Sequence, residues 1–262
     1  MVLMLCEDLL GVRSYTHIVE PATEVPEERL EEMLDAVRRL ASGEPVQYVI
    51  GFADFYGQRY RVTPAVLIPR PETEQLVKEV VCECLGRGRK VRVLDLCTGS
   101  GCIAWSVVHE VPGAEVVAVD ISEDALQVAR DQFPEMSSPE FVKDDVLAGG
   151  EGFGRGLFDV IVSNPPYVME SEKERMRKNV LDYEPSLALF VPDDDPLVFY
   201  RAIAEWMDRF LAPDGVGFVE INESLGEETA GVFRLKGYAG TTVLRDFYGR
   251  DRFLRIERKL PN

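Results

Sequence analysis

The sequence predicts an α/β fold in which a small N-terminal helical module with a hairpin precedes a doubly wound, mostly parallel sheet. Short apolar segments alternate with helical segments over most of the chain, as in parallel sheets covered on both faces. The first 40 residues lack such segments and have a helical pattern instead. A chain of 262 residues is long enough for one such domain and a smaller module.

Residues 1–72 are expected to form the N-terminal module. Between residues 26 and 43, apolar side chains recur at the spacing of one helix face, and a glycine follows as a stop signal. These apolar positions are Leu30, Met33, Leu34, Val37 and Leu40. β-branched and aromatic residues then surround Gly51 and Gly57, which predicts a short hairpin leading into the larger domain.

Residues 73–262 are expected to form the larger domain, which opens with a helix after a proline. The segments "VRVLDL", "EVVAVD", "EFVKDD" and "FDVIVSN" are predicted strands, with helices between the first three. A helix at 196–211 and a strand at 215–222 follow. The tail predicts two antiparallel strands around a turn at Gly249, and the composition of 148–156 predicts a flexible surface loop.

Composition narrows the class of function. The net charge of −17 opposes binding to the phosphate backbone of nucleic acids. The sequence has neither an apolar run of about 18 residues nor a basic N-terminal region, so we expect no membrane span and no secretory signal.

The cysteines favour a reducing compartment. Their number, five, is odd, and their spacing is not that of a disulfide framework, so reduced thiols in a cytoplasm are expected. Cys82 and Cys84 are separated by one residue and are better explained as helix residues. The only histidines are His17 and His109, so no metal site is predicted.

A glycine-containing turn follows the first strand of the larger domain. Gly99 and Gly101 lie between that strand and the next helix, where glycines let the backbone approach a ligand closely. Ala104 occupies the third glycine position of the dinucleotide fingerprint, and no basic residue lies near to meet a pyrophosphate. The turn therefore favours an adenosyl ligand without phosphates.

Aspartates end the first three strands of the larger domain. Asp95 is expected to orient the glycine turn and receive a cationic amine, and Asp120 to reach ribose hydroxyls. Asp145 is expected to accept a hydrogen bond from an adenine amino group, with Val146 packing on the ring. Each acid alone is equally well explained as an ordinary strand-end residue, but three around one glycine turn favour a binding site.

The segment "SNPPYV" follows the fourth strand. Asn164 supplies an amide oxygen, Pro165 a carbonyl in a stiff turn, and Tyr167 a flat aromatic face. Two acceptors beside an aromatic ring suit an NH₂ group on an sp² carbon, whose lone pair they would turn towards an electrophile. The alternative explanation is a proline-rich strand terminator with a partly buried tyrosine.

With these motifs, the sequence resembles class I S-adenosylmethionine-dependent methyltransferases that carry an NPPY motif. It is most similar to the bacterial family that methylates glutamine in peptide chain release factors (PrmC, also called HemK). The similarity covers nearly the whole chain and includes "GEPVQYVIGFADFYG", "VLIPRPETE", "DLCTGSGCIA", "SNPPYV" and "DYEPSLAL". Adenine-N6 methyltransferases share NPPY, whereas "IPRPETE" is far more specific.

The resemblance implies a Rossmann-like fold with a seven-stranded sheet whose last strand is antiparallel. It also implies S-adenosylmethionine as cofactor and release factors as protein substrates, methylated on the glutamine amide of their Gly-Gly-Gln motif. The N-terminal module would dock the substrate, and a cytoplasmic monomer without nucleic-acid or membrane partners is expected.

The implied site residues fall into three groups. The catalytic residues are Asn164, Pro165 and Tyr167. The cofactor-binding residues are Asp95, Cys97, Thr98, Gly99, Ser100, Gly101, Asp120, Ile121, Asp145, Val146 and Asn164. The substrate-binding residues are Arg70, Glu72, Thr73, Asn164, Pro165, Pro166 and Tyr167. Arg70, Glu72 and Thr73 are expected in the cleft between the N-terminal module and the catalytic domain. The prolines on either side of Arg70 are also explained as a rigid hinge. Cys97 stands where the family commonly has glycine.

Three alternatives stay open on sequence alone. An adenine-N6 nucleic-acid methyltransferase would present the same NH₂ chemistry, but the acidic charge opposes it. A glutamine methyltransferase for a ribosomal protein would share the active site. A non-catalytic protein that kept the cofactor fold is disfavoured by the intact "NPPY" segment.

Overall fold

The computed structural model describes residues 2–13 and 15–258. Its helices are α1 (Val2–Leu10), α2 (Thr16–Val19), α3 (Glu27–Ala41), α4 (Val46–Ile50), α5 (Thr73–Gly86), α6 (Cys102–Glu110), α7 (Glu123–Arg130), α8 (Lys178–Tyr183), α9 (Val198–Phe210) and α10 (Gly226–Leu235). Its strands are β1 (Phe52–Phe55), β2 (Gln58–Arg61), β3 (Arg92–Leu96), β4 (Glu115–Asp120), β5 (Glu140–Lys143), β6 (Phe158–Ser163), β7 (Val168–Met169), β8 (Phe190–Val191), β9 (Leu211–Glu220), β10 (Thr242–Arg245) and β11 (Asp251–Glu257).

Seven of these strands form the central sheet in the order β10-β11-β9-β6-β3-β4-β5. The last strand, β11, runs antiparallel to both of its neighbours, while the pairs among β3, β4, β5, β6 and β9 are parallel. Helices α5 and α6 pack on one face of the sheet, and α9 and α10 on the other. The fold class that the sequence predicts is confirmed. None of the helices in the described ranges is long and apolar enough to cross a membrane.

The central strands are buried because their sequences are apolar on both faces. Every residue of β6 is buried, and β3 is buried from its second residue onward. Parallel strands covered by helices on both sides need such continuous apolar runs. The carboxyl ends of β3, β4, β6 and β9 meet at one edge of the sheet, where their polar end residues come together.

The N-terminal helices form a small apolar cluster of their own. Helix α3 confirms the helix predicted between residues 26 and 43, and its buried residues, Met33 and Ala36, pack with Leu5 of α1. The other side of the predicted apolar stripe remains 43–45% exposed at Leu30, Leu34 and Val37. Helical periodicity identifies an apolar face, whereas the number of packing neighbours decides how much of it is covered.

The predicted hairpin is formed by β1 and β2, which pair antiparallel. Phe55 and Tyr60 of this hairpin are buried in the core beneath the sheet rather than among the N-terminal helices. The Tyr60 hydroxyl lies 3.0 Å from Ser106 Oγ on α6. The hairpin is thus fixed to the larger domain, and a module boundary at residue 72 stays a prediction.

The glycine-rich segment 148–156, predicted to be a flexible surface loop, is exposed at Glu151 and Gly152 but buried at Gly149, Gly150 and Phe153. Phe153 is only 4% exposed, and its ring packs 4.8 Å from that of Trp206 on α9. Gly150 is also buried, and a Cβ added there would lie 2.7 Å from Phe210. The glycines let the chain fold tightly onto α9, and one aromatic residue anchors it.

Candidate active site

An open cavity of about 1140 Å³ lies at the carboxyl ends of the parallel strands. It brings together most of the residues that the sequence predicts for cofactor and substrate. These are Arg70, Thr73, Cys97, Thr98, Gly99, Ser100, Asp120, Ile121, Asp145, Val146, Asn164 and Pro166. Five predicted residues do not line it, namely Asp95, Gly101, Glu72, Pro165 and Tyr167.

The turn between β3 and α6 has an unusual backbone. Cys97, Gly99 and Gly101 all have positive φ angles, of 60°, 55° and 77°. This left-handed region favours glycine, so Cys97 is the one residue of the three whose side chain adds backbone strain. Burial raises the pKa of the Cys97 thiol, so this side chain is protonated at neutral pH.

The two glycines of this turn differ in their surroundings, which gives a matched pair of stability predictions. A Cβ at Gly101 would lie 3.0 Å from Ala129 Cβ and 3.1 Å from Trp105 Cδ1, whereas a Cβ at Gly99 would meet nothing within 4 Å. We expect Gly101→Ala to lower the free energy of unfolding by about 3 kcal/mol, from strain plus overpacking. Gly99→Ala adds only strain and should cost about 1 kcal/mol.

Urea denaturation of the two variants and of the unsubstituted protein measures this difference. Equal losses for both glycines would contradict the packing argument, since strain alone would then explain both. A larger loss for Gly99→Ala would contradict it more strongly.

Asp95 lies behind the turn and is fully buried. Its Oδ2 accepts a hydrogen bond of 2.6 Å from the Thr98 hydroxyl, which ties the turn to β3. Oδ1 has no hydrogen-bond partner among the described residues. Burial raises the pKa of Asp95 to about 7, and the Thr98 hydroxyl and the backbone N–H of Ala104 oppose the rise. Asp95 thus supports the turn from behind rather than from within the cavity.

Asp120 and Asp145 are held at the cavity edge by backbone hydrogen bonds. Asp120 accepts from the backbone N–H of Gly99 at 2.8 Å and of Ser122 at 2.9 Å. Burial raises its pKa, and these bonds oppose the rise. Asp145 accepts from the Leu147 N–H at 2.9 Å. Each carboxylate keeps lone pairs for a ligand, because an ionised carboxylate offers about four acceptor positions.

Part of the cavity wall comes from segments to which the sequence analysis assigned no cofactor residue. Apolar side chains of Leu67, Leu147 and Leu187 line it, the first and last from the quoted "VLIPRPETE" and "DYEPSLAL" segments. Both segments are recognisable in the sequence, but no local sequence pattern indicates that their leucines line the same cavity as the glycine turn.

Asn164 is held by a chain of hydrogen bonds that leads into the protein. Its Nδ2 donates to the Thr73 hydroxyl at 3.2 Å, and the Thr73 hydroxyl donates to Glu220 at 2.8 Å. The Tyr167 hydroxyl donates to the other oxygen of Glu220 at 2.9 Å. With Nδ2 turned towards Thr73, Asn164 presents Oδ1 on its other side as an acceptor, without a hydrogen bond to any residue in the described ranges. No backbone hydrogen bond of the described turns and loops ends on the Pro165 carbonyl.

Glu220, at the end of β9, is a central residue of the site that the sequence analysis missed. It is 1% exposed, and burial raises its pKa, while Thr73, Tyr167 and the positive charge of Arg252 favour its ionised form. Burial likewise raises the pKa of Tyr167, which therefore remains a neutral donor. The available signal was the same as for the aspartates: an acid directly at the end of an apolar strand.

A second, polar cavity of about 970 Å³ lies on the other side of Tyr167. The predicted residues Glu72 and Tyr167 line it together with Arg70, which also reaches the first cavity. Arg70 forms an ion pair of 2.7 Å with the buried Glu184. Arg70 lines both cavities, while Asn164 and Pro166 line the first and Tyr167 lines the second.

The first cavity fits S-adenosylmethionine better than a phosphorylated nucleotide. Two carboxylates stand at its edge and apolar side chains form its walls. Arg70 is its one basic lining residue within the described chain, and Glu184 neutralises it.

Comparisons with known proteins agree with this arrangement. A family profile described as "PrmC N-terminal domain" matches residues 2–51, and one described as "Methyltransferase small domain" matches residues 75–182. A solved structure, the ribosomal protein L11 methylase of Lactobacillus delbrueckii subsp. bulgaricus, has the same fold. It is 20% identical, with a TM-score of 0.52, and the match covers 79% of this chain and 90% of that one.

Curated relatives cover almost the whole chain. A release factor glutamine methyltransferase of Bacteroides thetaiotaomicron is 42% identical over 257 residues, which are 98% of this chain and 91% of that protein. One of Streptococcus pneumoniae is 38% identical over 234 residues, 88% of this chain and 81% of that protein. The chain described here belongs to the release factor glutamine methyltransferase family.

Proposed function

We propose that this protein transfers a methyl group from S-adenosylmethionine to the glutamine side-chain nitrogen of the Gly-Gly-Gln motif in peptide chain release factors. The observation that carries the proposal is the free Oδ1 of Asn164 beside an adenosyl-type cavity. The identity of 42% with a relative named for this activity supports the choice of substrate.

The donor would be held by the glycine turn and the strand ends. Asp120 would accept from ribose hydroxyls, Asp145 from the adenine amino group, and Ile121 and Val146 would pack on the base. Asp95 would orient the glycine turn through its hydrogen bond with Thr98, and its charge would favour the cationic amine of the donor. The turn residues Cys97, Thr98, Gly99, Ser100 and Gly101 would enclose its amino-acid end. When bound, S-adenosylmethionine supplies an electrophilic methyl group on a sulfonium.

The substrate amide would be held by the "NPPY" segment. Asn164 Oδ1 and the Pro165 carbonyl would accept its two N–H groups, which turns the nitrogen lone pair towards the donor and favours the transition-state geometry. The Tyr167 ring would stack on the planar amide. A general base before attack is unnecessary. The bond from the nitrogen to the methyl carbon would form as the C–S bond of the sulfonium breaks, which leaves S-adenosylhomocysteine as a neutral thioether, and the cationic methylated nitrogen would then lose one proton to solvent.

The protein substrate would approach past Arg70, which lines both cavities. Glu72 lines the second cavity, and Thr73 and Pro166 line the first, which supports their assignment to the substrate side. The N-terminal module of residues 1–72 would dock the rest of the release factor.

Mass spectrometry of a release factor incubated with protein and S-adenosylmethionine tests the function. We expect one added methyl group on the Gly-Gly-Gln peptide, and none on a matched release factor whose motif glutamine is replaced by glutamate, which has no NH₂. Methylation of a ribosomal protein or of adenine in DNA, without methylation of the release factor, would overturn the proposal.

We also propose a cytoplasmic location. All five cysteines are free, and Cys84 and Cys102 are buried thiols, as suits a reducing compartment. A monomer stays a prediction, which light scattering of the purified protein can check.

A further inference from the structure

Glu220 makes two side-chain hydrogen bonds that the proposed mechanism does not use. It lies at the end of β9, is 1% exposed, and accepts from the hydroxyls of Thr73 and Tyr167 at 2.8 and 2.9 Å. These partners begin helix α5 and end the "NPPY" segment, and they lie 147 and 53 residues away in sequence. Burying a carboxylate costs desolvation free energy, which its hydrogen bonds must offset. A carboxylate kept at this cost between three elements on the substrate side of the site therefore suggests a role there.

Counting hydrogens shows what this carboxylate does. Both oxygens of Glu220 accept, one from the Thr73 hydroxyl and the other from the Tyr167 hydroxyl, so the single hydroxyl hydrogen of Thr73 is committed to Glu220. The Thr73 oxygen can then only accept. Asn164, the next residue in this series of hydrogen bonds, must therefore present an N–H to it. The Asn164 amide therefore has one allowed orientation, with Nδ2 inward and Oδ1 outward.

We infer that Glu220 is a positioning residue that, through Thr73, sets which end of the Asn164 amide faces the substrate. This inference rests on the proposed function, because the outward oxygen matters only when the substrate offers N–H groups. Without the carboxylate, the two ends of the amide are similar in shape, and half of the orientations would present N–H to N–H.

Glu220→Gln allows the donors and acceptors of this series of hydrogen bonds to be reversed, while the volume of the side chain stays nearly constant. Its new Nε2 can donate to the Thr73 oxygen, which frees the Thr73 hydrogen for Asn164 Oδ1. Asn164 would then turn its Nδ2 outward, towards the substrate. Thr73→Val removes the hydroxyl at nearly the same size, whereas Thr73→Ser retains it.

Nuclear magnetic resonance of the protein alone tests the orientation without any substrate. We expect a nuclear Overhauser contact between the Asn164 side-chain NH₂ and the Thr73 methyl group in the unsubstituted protein, and its loss or marked weakening in Glu220→Gln. Tyr200→Phe is the matched control: it removes another buried hydroxyl, which donates to the main-chain carbonyl of Glu220, and it should leave the contact intact. An unchanged contact in Glu220→Gln would overturn the inference, whatever the protein methylates.

Kinetics on a release factor test the consequence. We expect Glu220→Gln and Thr73→Val each to lower kcat about 100-fold, the scale for one misdirected hydrogen bond at a reacting group. Their combination should lower kcat no further, since both act on the same amide. The Kd for S-adenosylmethionine and the KM for the release factor should change little, and Thr73→Ser should restore most of kcat.

The outcomes distinguish a failure of the proposed function from a failure of the inference about Glu220. An inactive unsubstituted protein with the Overhauser contact present would contradict the proposed function and leave the orientation supported. Equal losses for Thr73→Ser and Thr73→Val, or losses that track a lowered melting temperature, would reduce Thr73 and Glu220 to a structural role and overturn the inference.

Discussion

Replacing Asn164 with alanine is expected to lower kcat for release factor methylation by about 1000-fold, the largest effect we expect from a single side chain. The substitution removes the one side-chain acceptor that the "NPPY" segment directs at the substrate amide. The Pro165 carbonyl alone cannot hold both N–H groups, so the nitrogen lone pair is no longer turned towards the donor. Initial rates with a release factor and labelled S-adenosylmethionine measure the change.

Donor binding provides the internal control for this variant. Asn164 is a minor part of the cavity wall, and the glycine turn and the strand-end acids remain in place. Calorimetry should therefore give nearly the same Kd for S-adenosylmethionine. A variant that retained more than about a tenth of kcat would show that Asn164 is not the principal acceptor.

Asp120→Ala is expected to weaken S-adenosylmethionine binding by about 100-fold or more, the scale of losing two hydrogen bonds to a charged group. The carboxylate has two tasks in our proposal: it fixes the backbone at Gly99 and Ser122, and it accepts from the ribose. Both are lost together, so the turn loosens where it must enclose the donor. Calorimetric titration of the purified variant measures the Kd.

The matched control is Asp144→Ala. Asp144 carries the same charge at the same edge of the sheet and bonds to the N–H of Asp145, but it does not line the cavity. Its removal tests whether the acidic edge attracts the cationic donor merely through charge. Similar losses of affinity in both variants would contradict a specific role for Asp120.

Much of the fold was predictable because its determinants are local. The continuous apolar runs of β3, β4 and β6 predict buried parallel strands, and the spacing in α3 predicts a helix. The same patterns did not predict how much of each apolar face is buried. Residues Leu30, Leu34 and Val37 belong to an apolar stripe and remain exposed, while Phe153 lies in a glycine-rich segment and is buried.

The candidate site was predictable where its residues share a rule of position. Asp95 and Asp120 lie at the carboxyl ends of apolar strands, Asp145 and Asn164 come just after one, and parallel strands end at one edge of a sheet. The same rule applies to Glu220, but its segment lacked a glycine turn or a known motif to draw attention to it. The leucines of the cavity wall follow no positional rule at all.

The sequence by itself determined the sheet, the glycine turn, the "NPPY" segment and hence the family and the reaction. Only the tertiary structure decided the direction of the Asn164 amide. That direction depends on the hydrogen bond from Asn164 Nδ2 to Thr73, which lies 91 residues earlier, and on the bond from the Thr73 hydroxyl to Glu220, which lies 147 residues beyond Thr73. Local patterns specify which groups can donate or accept. Folding brings the groups into contact, and the single hydrogen of the Thr73 hydroxyl then allows one arrangement.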